Sequence, residues 1–173
     1  MITLSHKMKS LFIGTRIEAL EKLREFTNVV GIVTIKNSFV DKNTSQKIII
    51  DKDNKNDINS IIENSDASLI FSSGYPFILS KEILLTKKIF LNSHPSYLPF
   101  YKGRYCIKRA YENNEEFFGF TLHHMSEKVD SGKIVFQKRV SLKNFSLDEV
   151  YQYLFSKCEI EVIEKGLKKI LKK

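Results

Sequence analysis

The chain has 173 residues, 42% hydrophobic and 28% charged, a composition that fits one globular domain with its own core and excludes fibrous and disordered classes. With 28 Lys and Arg against 20 Asp and Glu, the net charge of +8 invites an anionic partner. The lysines are scattered apart from the tail Lys168, Lys169, Lys172 and Lys173, and neither an RNP-type aromatic motif nor a zinc spacing accompanies them. A phosphorylated small molecule is therefore the more economical anion, and the composition argues against nucleic acid. No apolar run reaches membrane-spanning length, and the start MITLSHKMKS lacks a signal peptide's apolar core, so a cytoplasmic protein without a membrane partner is expected. Cys106 and Cys158 form no CxxC pair and read as packing residues.

Residues 10–13 read as a first strand closed by Gly14. Thr15 and Glu18 make a capping-box pattern, opening a helix with Ile17, Leu20, Leu23 and Phe26 on one face. Residues 29–35 form a second strand. This βαβ opening predicts an α/β fold: a Rossmann-like, mostly parallel sheet flanked by helices. GxGxxG is absent, which argues against a dinucleotide, although the helix start at Thr15 could meet a phosphate. Residues 36–46 read as a polar surface loop, 47–50 as a short strand and 51–57 as a charged loop. A helix begins at 58–62, residues 68–72 are a buried strand, and a short helix at 81–85 leads to an apolar strand from 88 that ends at Asn92. After Pro99 comes a basic, aromatic loop at 100–104, then a helix over 106–112. Strands at 117–124 and 134–140, separated by a turn at 129–132, predict an antiparallel extension of the sheet. Ser146 and Glu149 form a second capping box, opening a long C-terminal helix with Leu147, Val150, Tyr151, Leu154, Phe155, Cys158 and Val162 on one stripe. With no repeat and no linker, residues 1–173 read as a single domain.

Asn92 and His94 stand two residues apart where a strand runs out, so both point to the same side of the sheet. The C-terminal edge of a strand is where ligands bind in open α/β sheets. An amide donor, an imidazole and the later carboxylate of Asp130 are suitable parts for stabilising an oxyanion and moving a proton. Taken singly, each has a plain structural alternative. Asn92 can cap the strand end, His94 can be an ordinary loop residue before Pro95, and Asp130-Ser131-Gly132 is good turn chemistry. Of His123 and His124, which straddle a strand, at least one is expected to be a surface or core histidine. No carboxylate or Cys spacing supports a metal site.

The run LNSHPSYLPFYKGR, followed by FGFTLHHMSEKVDSGKIVFQ, resembles the folate-dependent formyltransferases. Their signature is Asn-x-His, a Ser-x-Leu-Pro segment, a basic Gly-containing loop and a later Asp in a turn. It falls here on Asn92, His94, Ser96 to Pro99, Lys102-Gly103-Arg104 and Asp130. The resemblance implies an enzyme that moves a formyl group from N10-formyltetrahydrofolate to an amine, with Asn92, His94 and Asp130 as its catalytic residues. Asn92 would donate to the developing oxyanion, a contact commonly worth roughly 3 kcal/mol of barrier. Asp130 would hold the imidazole, raise its pKa and relay the amine's proton through water. By position, the folate's pterin would lie against Tyr75, Phe77, Ile78 and Leu79 and against Met125 to Val129, although core packing explains Phe77, Ile78 and Leu79 equally well.

Within the family, the character of the sequence is most like the sugar-nucleotide N-formyltransferases. The turn Gly14-Thr15-Arg16 lacks the Gly-Ser-rich phosphate loop of the ribonucleotide enzymes, and the tRNA enzymes carry an added C-terminal barrel. The expected acceptor is therefore an amino sugar, nucleotide-linked, with Lys102 and Arg104 on diphosphate oxygens and Tyr101 beside base or sugar. The alternatives are another amine, of the phosphoribosylglycinamide or methionyl-tRNA type, or a catalytically silent folate- or RNA-binding relative. The last helix could also provide a homodimer face.

Overall fold

The computed structural model describes residues 7–171, so Lys172 and Lys173 of the basic tail and residues 1–6 of the N-terminal stretch lie outside the described residues. Among the described residues there are seven strands, interleaved with helices except for the last two. They are β1 (Lys9–Gly14), β2 (Asn28–Thr34), β3 (Ile48–Ile49), β4 (Leu69–Ser73), β5 (Ile89–His94), β6 (Phe117–His124) and β7 (Ile134–Ser141). The helices are α1 (Ile17–Phe26), α2 (Phe39–Asn43), α3 (Asp57–Asn64), α4 (Lys81–Leu84), α5 (Cys106–Glu112), α6 (Leu147–Tyr153) and α7 (Glu159–Leu171). The sheet order is β3-β2-β1-β4-β5-β6-β7, the mostly parallel α/β architecture expected from the βαβ opening. The chain divides into two compact units, meeting in sequence between Leu91 and Asn92.

In the first unit β1 pairs in parallel with both β2 and β4, and β2 with β3. A strand flanked on both edges is apolar in its middle: Leu11, Phe12 and Ile13 are buried, and Phe12 stacks on Phe71 of β4 at 6.4 Å. Helix α1 buries Ala19, Leu20 and Leu23, while Ile17 and Phe26 are only half-covered. Its expected capping box is not formed. Arg16 occupies the cap position but its side chain does not cap the helix, and the Thr15 hydroxyl instead donates to the Gly74 carbonyl at 3.1 Å. The neighbouring Thr15 N–H bonds the Ser73 carbonyl at 3.0 Å, so Thr15 belongs to the seam between two strand ends. A Cβ on Gly14 would sit 1.9 Å from the Ser73 carbonyl oxygen, which is why the first strand closes on glycine. The polar stretch 36–46 is not all loop. Ser38 caps the short helix α2 by accepting from the Asp41 N–H at 3.0 Å, and Val40 is buried beneath it. Only Ile48 and Ile49 of the third strand candidate pair in the sheet.

In the second unit β6 and β7 form the expected antiparallel pair, with Phe120 and Leu122 fully buried. The Ser146/Glu149 capping box is present, the Ser146 N–H reaching Glu149 Oε2 at 2.8 Å. The long C-terminal helix is broken into α6 and α7 by a π turn at Leu154–Cys158. Val150, Leu154, Cys158 and Val162 are buried as the stripe predicts, but the extra residue of the π turn shifts the phase, and Glu159 just beyond it is fully buried. A one-period stripe cannot reveal such a shift. At Gly166 a Cβ would lie 2.4 Å from Leu122 Cδ2, so the last helix packs closely on β6. No helix among the described residues is long and apolar enough to cross a membrane.

Candidate active site

Strand β5 extends to His94, two residues beyond its expected end, so the alternation of strand side chains governs the whole Asn92-Ser93-His94 triplet. Ser93 turns away from its neighbours and donates to Glu159 Oε1 at 3.1 Å. Asn92 places its amide nitrogen 3.3 Å from His123 Nε2, and the His94 side chain is 8% exposed. Asp130 sits in a left-handed turn, φ 48°, with its side chain also 8% exposed. Gly132 follows, and a Cβ there would be 1.7 Å from the His124 carbonyl oxygen, so the turn folds tightly onto the end of β6.

The Asp130 carboxylate joins the group. One oxygen lies 3.4 Å from His94 Nδ1 and accepts from the Gly103 N–H at 2.8 Å; the other lies 3.5 Å from His123 Nε2. The structure therefore brings Asn92, His94 and Asp130 together, all within the second unit. It adds His123, whose ring stands 6.4 Å from that of His94 at 80°. Sequence reasoning left His123 as one of two ambiguous histidines. The available signal was strand phase: His123 shares its side of β6 with Thr121, which accepts from the Leu98 N–H at 3.1 Å just past the His94 turn.

The hydrogen bonds constrain the protons. His123 Nδ1 is 2.8 Å from the His124 carbonyl, so it carries a hydrogen, while Nε2 faces both the Asn92 amide at 3.3 Å and the Asp130 carboxylate at 3.5 Å. Asn92 then keeps a second amide hydrogen for a ligand. Both nitrogens of His94 face acceptors: Asp130 at Nδ1 and the Tyr101 carbonyl at Nε2, 3.2 Å away. Only the doubly protonated ring satisfies both. Burial nevertheless pulls the His94 pKa below its usual value, against the upward influence of Asp130 and the Tyr101 carbonyl, with His123 and Arg109 adding to the fall. The expected rise through Asp130 is thus present but outweighed. For Asp130 itself burial pushes upward, yet the bond from His123, the charge of His94 and the Gly103 N–H together hold it below the usual carboxylate range.

The other sequence candidates fall in two places. In the first unit Tyr75 and Phe77 pack edge to face at 5.6 Å, Leu79 is buried and Ile78 is 78% exposed. Burial pushes the Tyr75 phenol up to about 12, and its hydroxyl has no hydrogen-bond partner among the described residues. In the second unit Met125 is half-buried and Val129 is 46% exposed. The loop after Pro99 is more tied down than its composition suggested. Lys102 Nζ donates to Ser131 Oγ at 2.7 Å, and the Tyr101 hydroxyl donates to Glu115 at 2.6 Å, whereas Arg104 and Tyr105 are exposed. Cys106 donates to the Pro95 carbonyl, and burial lifts its thiol to about 11 and that of Cys158 to about 12, which opposes thiolate chemistry. Among the described residues no group of three or more His, Cys, Asp or Glu is placed to hold a metal ion.

The family model described as formyl transferase matches residues 11–163. A methionyl-tRNA formyltransferase from Borrelia garinii subsp. bavariensis is 32% identical over 95% of this chain. The chain belongs to the formyl transferase family. A methionyl-tRNA formyltransferase from Thermotoga neapolitana is 28% identical over 91% of the chain. The chain spans 58% of the Borrelia relative's length and 57% of the Thermotoga relative's. Among solved structures, a phosphoribosylglycinamide formyltransferase from Campylobacter jejuni is 26% identical, with a TM-score of 0.80 over 95% of this chain and 97% of that one. Another from Bacillus halodurans shares the fold at 17% identity, with a TM-score of 0.82 over 95% of this chain and 96% of that one.

Proposed function

We propose that the protein is a folate-dependent N-formyltransferase that moves a formyl group from N10-formyltetrahydrofolate to a primary amine, with methionyl-tRNA as its acceptor. The observation that carries the transfer reading is the Asp130 carboxylate, set between the rings of His94 and His123 with the Asn92 amide beside them. Bound donor supplies an activated formyl group. Asn92 offers its second amide hydrogen to the negative charge that grows on the formyl oxygen, a contribution of about 3 kcal/mol. As the new C–N bond forms, the amine must lose a proton and N10 of the departing folate must gain one. His94, pulled toward neutrality by burial and drawn toward protonation by Asp130, is suited to carry that proton in either direction. For the donor, the exposed Ile78 and the buried Tyr75 hydroxyl, which has no hydrogen-bond partner among the described residues, suit a flat ring with polar edges.

The acceptor reading rests on the relatives similar over nearly the whole chain, which carry the name methionyl-tRNA formyltransferase. On that support methionyl-tRNA is preferred to the nucleotide-linked amino sugar suggested by the sequence. Lys102, Arg104 and Tyr101 would then meet the acceptor's phosphates and a base. The test is a transfer assay with N10-formyltetrahydrofolate and three acceptors: methionyl-tRNA, phosphoribosylglycinamide, and a panel of nucleotide-linked amino sugars. Tetrahydrofolate release and acceptor mass are both followed. Formylated methionyl-tRNA, lost in His94→Ala, is the expected result, and its rate should fall steeply with added salt. Formylation of a sugar or of the ribonucleotide alone would reassign the acceptor, and absence of transfer to all three would reject the activity.

A further inference from the structure

We propose that Arg109, on the first full turn of α5 and outside the Asn92/His94/His123/Asp130 cluster, is a positioning residue whose guanidinium holds the loop that orients His94 and Asp130. The proposal rests on the formyl-transfer reading above. Residues 101–105 are an unusual piece of backbone, with left-handed conformations at Tyr101, Gly103 and Tyr105, φ 53°, 78° and 56°. Two of these are bulky aromatic residues, for which such a conformation persists only where surrounding contacts over-determine it. The contacts are on the page. Arg109 Nη2 donates to the Lys102 carbonyl and Nε donates to the Arg104 carbonyl at 3.1 Å, so one planar fork grips the backbone on both sides of Gly103. The same guanidinium lies 5.8 Å from the centre of the Tyr101 ring.

What the gripped loop carries is the reason to assign the role. The Gly103 N–H between the two gripped carbonyls donates to Asp130 at 2.8 Å, and the Tyr101 carbonyl lies 3.2 Å from His94 Nε2. Lys102 reaches the same turn through Ser131. Both site residues therefore take their orientation from a strained segment that Arg109 fastens. A loop left to relax would take the Tyr101 carbonyl away from His94 Nε2 and the Gly103 N–H away from the carboxylate it holds beside Nδ1, so both supports of the protonated His94 ring would weaken. Arg109 itself contacts neither of these side chains in this network.

The test separates the fork from the charge. Arg109→Lys keeps the positive charge but cannot span two carbonyls in one plane; Arg109→Gln keeps a short donor and no charge. The side chain is exposed, so folding is not at risk, and circular dichroism verifies it. The expected result for Arg109→Lys is a kcat about 100-fold lower, the scale of a roughly 1 Å misplacement, with the donor KM unchanged. The second readout is the His94 ring titration by NMR. The charged and titratable groups facing that ring are Asp130 from its turn, His123 from β6 and Arg109 from α5. Because lysine preserves the Arg109 charge, loss of the fork alone should move the His94 inflection to lower pH. Arg109→Gln should fall in kcat as well. Wild-type turnover in Arg109→Lys, or a fall in turnover with an unmoved His94 inflection, overturns the proposal. The titration needs no substrate. Should the wild-type protein transfer no formyl group, the functional reading fails while the His94 shift still decides the role of Arg109.

Discussion

Replacing Asp130 by asparagine tests the electrostatic core of the site with almost no change in shape. The carboxylate lies 3.4 Å from His94 Nδ1, and both side chains are 8% exposed. For unit charges at that distance, with an effective dielectric constant of about 20, the attraction is about 5 kcal/mol. At 1.36 kcal/mol per decade this would be between about three and four decades in rate if the imidazolium formed fully and the asparagine carbonyl replaced nothing. The asparagine dipole keeps part of the attraction, so kcat should fall by about 10²- to 10⁴-fold, the range found for a displaced general acid or base. The direction of the pH shift is also fixed. Asp130 raises the His94 pKa against the effect of burial, so Asp130→Asn should move the His94 inflection to lower pH. Single-turnover transfer measured across pH 5 to about 9, with the thermal midpoint recorded for each variant, gives both quantities. Turnover of Asp130→Asn within a few-fold of wild type, in a folded protein, would refute the reasoning.

Other expected outcomes follow from the same geometry. Asp130 is held below the usual carboxylate range, so the stability it contributes is present above the unfolded value of 3.8 and is lost as pH falls through the lower folded value; urea unfolding between pH 5 and pH 2 should show a drop that is smaller in Asp130→Asn, the remainder coming from other lowered carboxylates such as Asp41 and Asp66. Gly132→Ala should destabilise by about 2 kcal/mol or more and depress transfer, since its Cβ would meet the His124 carbonyl at 1.7 Å in the turn that presents Asp130; calorimetry and the transfer assay read the two effects. Ser146→Ala removes a capping box far in sequence from the site and should cost about 1 kcal/mol with kcat unchanged. The thiols of Cys106 and Cys158, raised to about 11 and about 12, should react slowly with Ellman's reagent in the native protein and quickly in denaturant.

The sequence was most legible where one local signal decides the outcome. Helix α5 and strand β6 begin and end where residues 106–112 and 117–124 predicted, and the Ser146/Glu149 box forms as read. The triplet around Asn92 was legible because strand alternation and the chain's order of motifs both bear on it. Other features depend on distant partners. Thr15 and Glu18 spell a capping box, but the hydroxyl is claimed by Gly74, 59 residues away, a competition that no local pattern records. The helix α2 depended on Ser38 in a run whose overall polarity hid it. His123 joined the candidate site through Asp130 and Asn92, two contacts that arise only when β5, β6 and the Asp130 turn are assembled. The upward pull of Asp130 on His94 is legible in the sequence and is present, but the net fall is not, because a charged neighbour can be read from sequence whereas the depth of burial that outweighs it cannot.

Ser93 gives the strand β5 a second duty. Its hydroxyl reaches the buried Glu159 on the face opposite to Asn92 and His94, so on the proposed function consecutive residues would serve anchoring and chemistry in strict alternation. Inserting or deleting one residue in this strand would exchange the two roles, aiming Ser93 at the reacting groups and an amide or imidazole at a buried carboxylate. Neither exchange can be repaired by a single compensating substitution, because both faces fail at once. The triplet is thus intolerant of length change, and any adaptation to a differently shaped acceptor has to be made in the surrounding loops, where insertions leave that alternation intact.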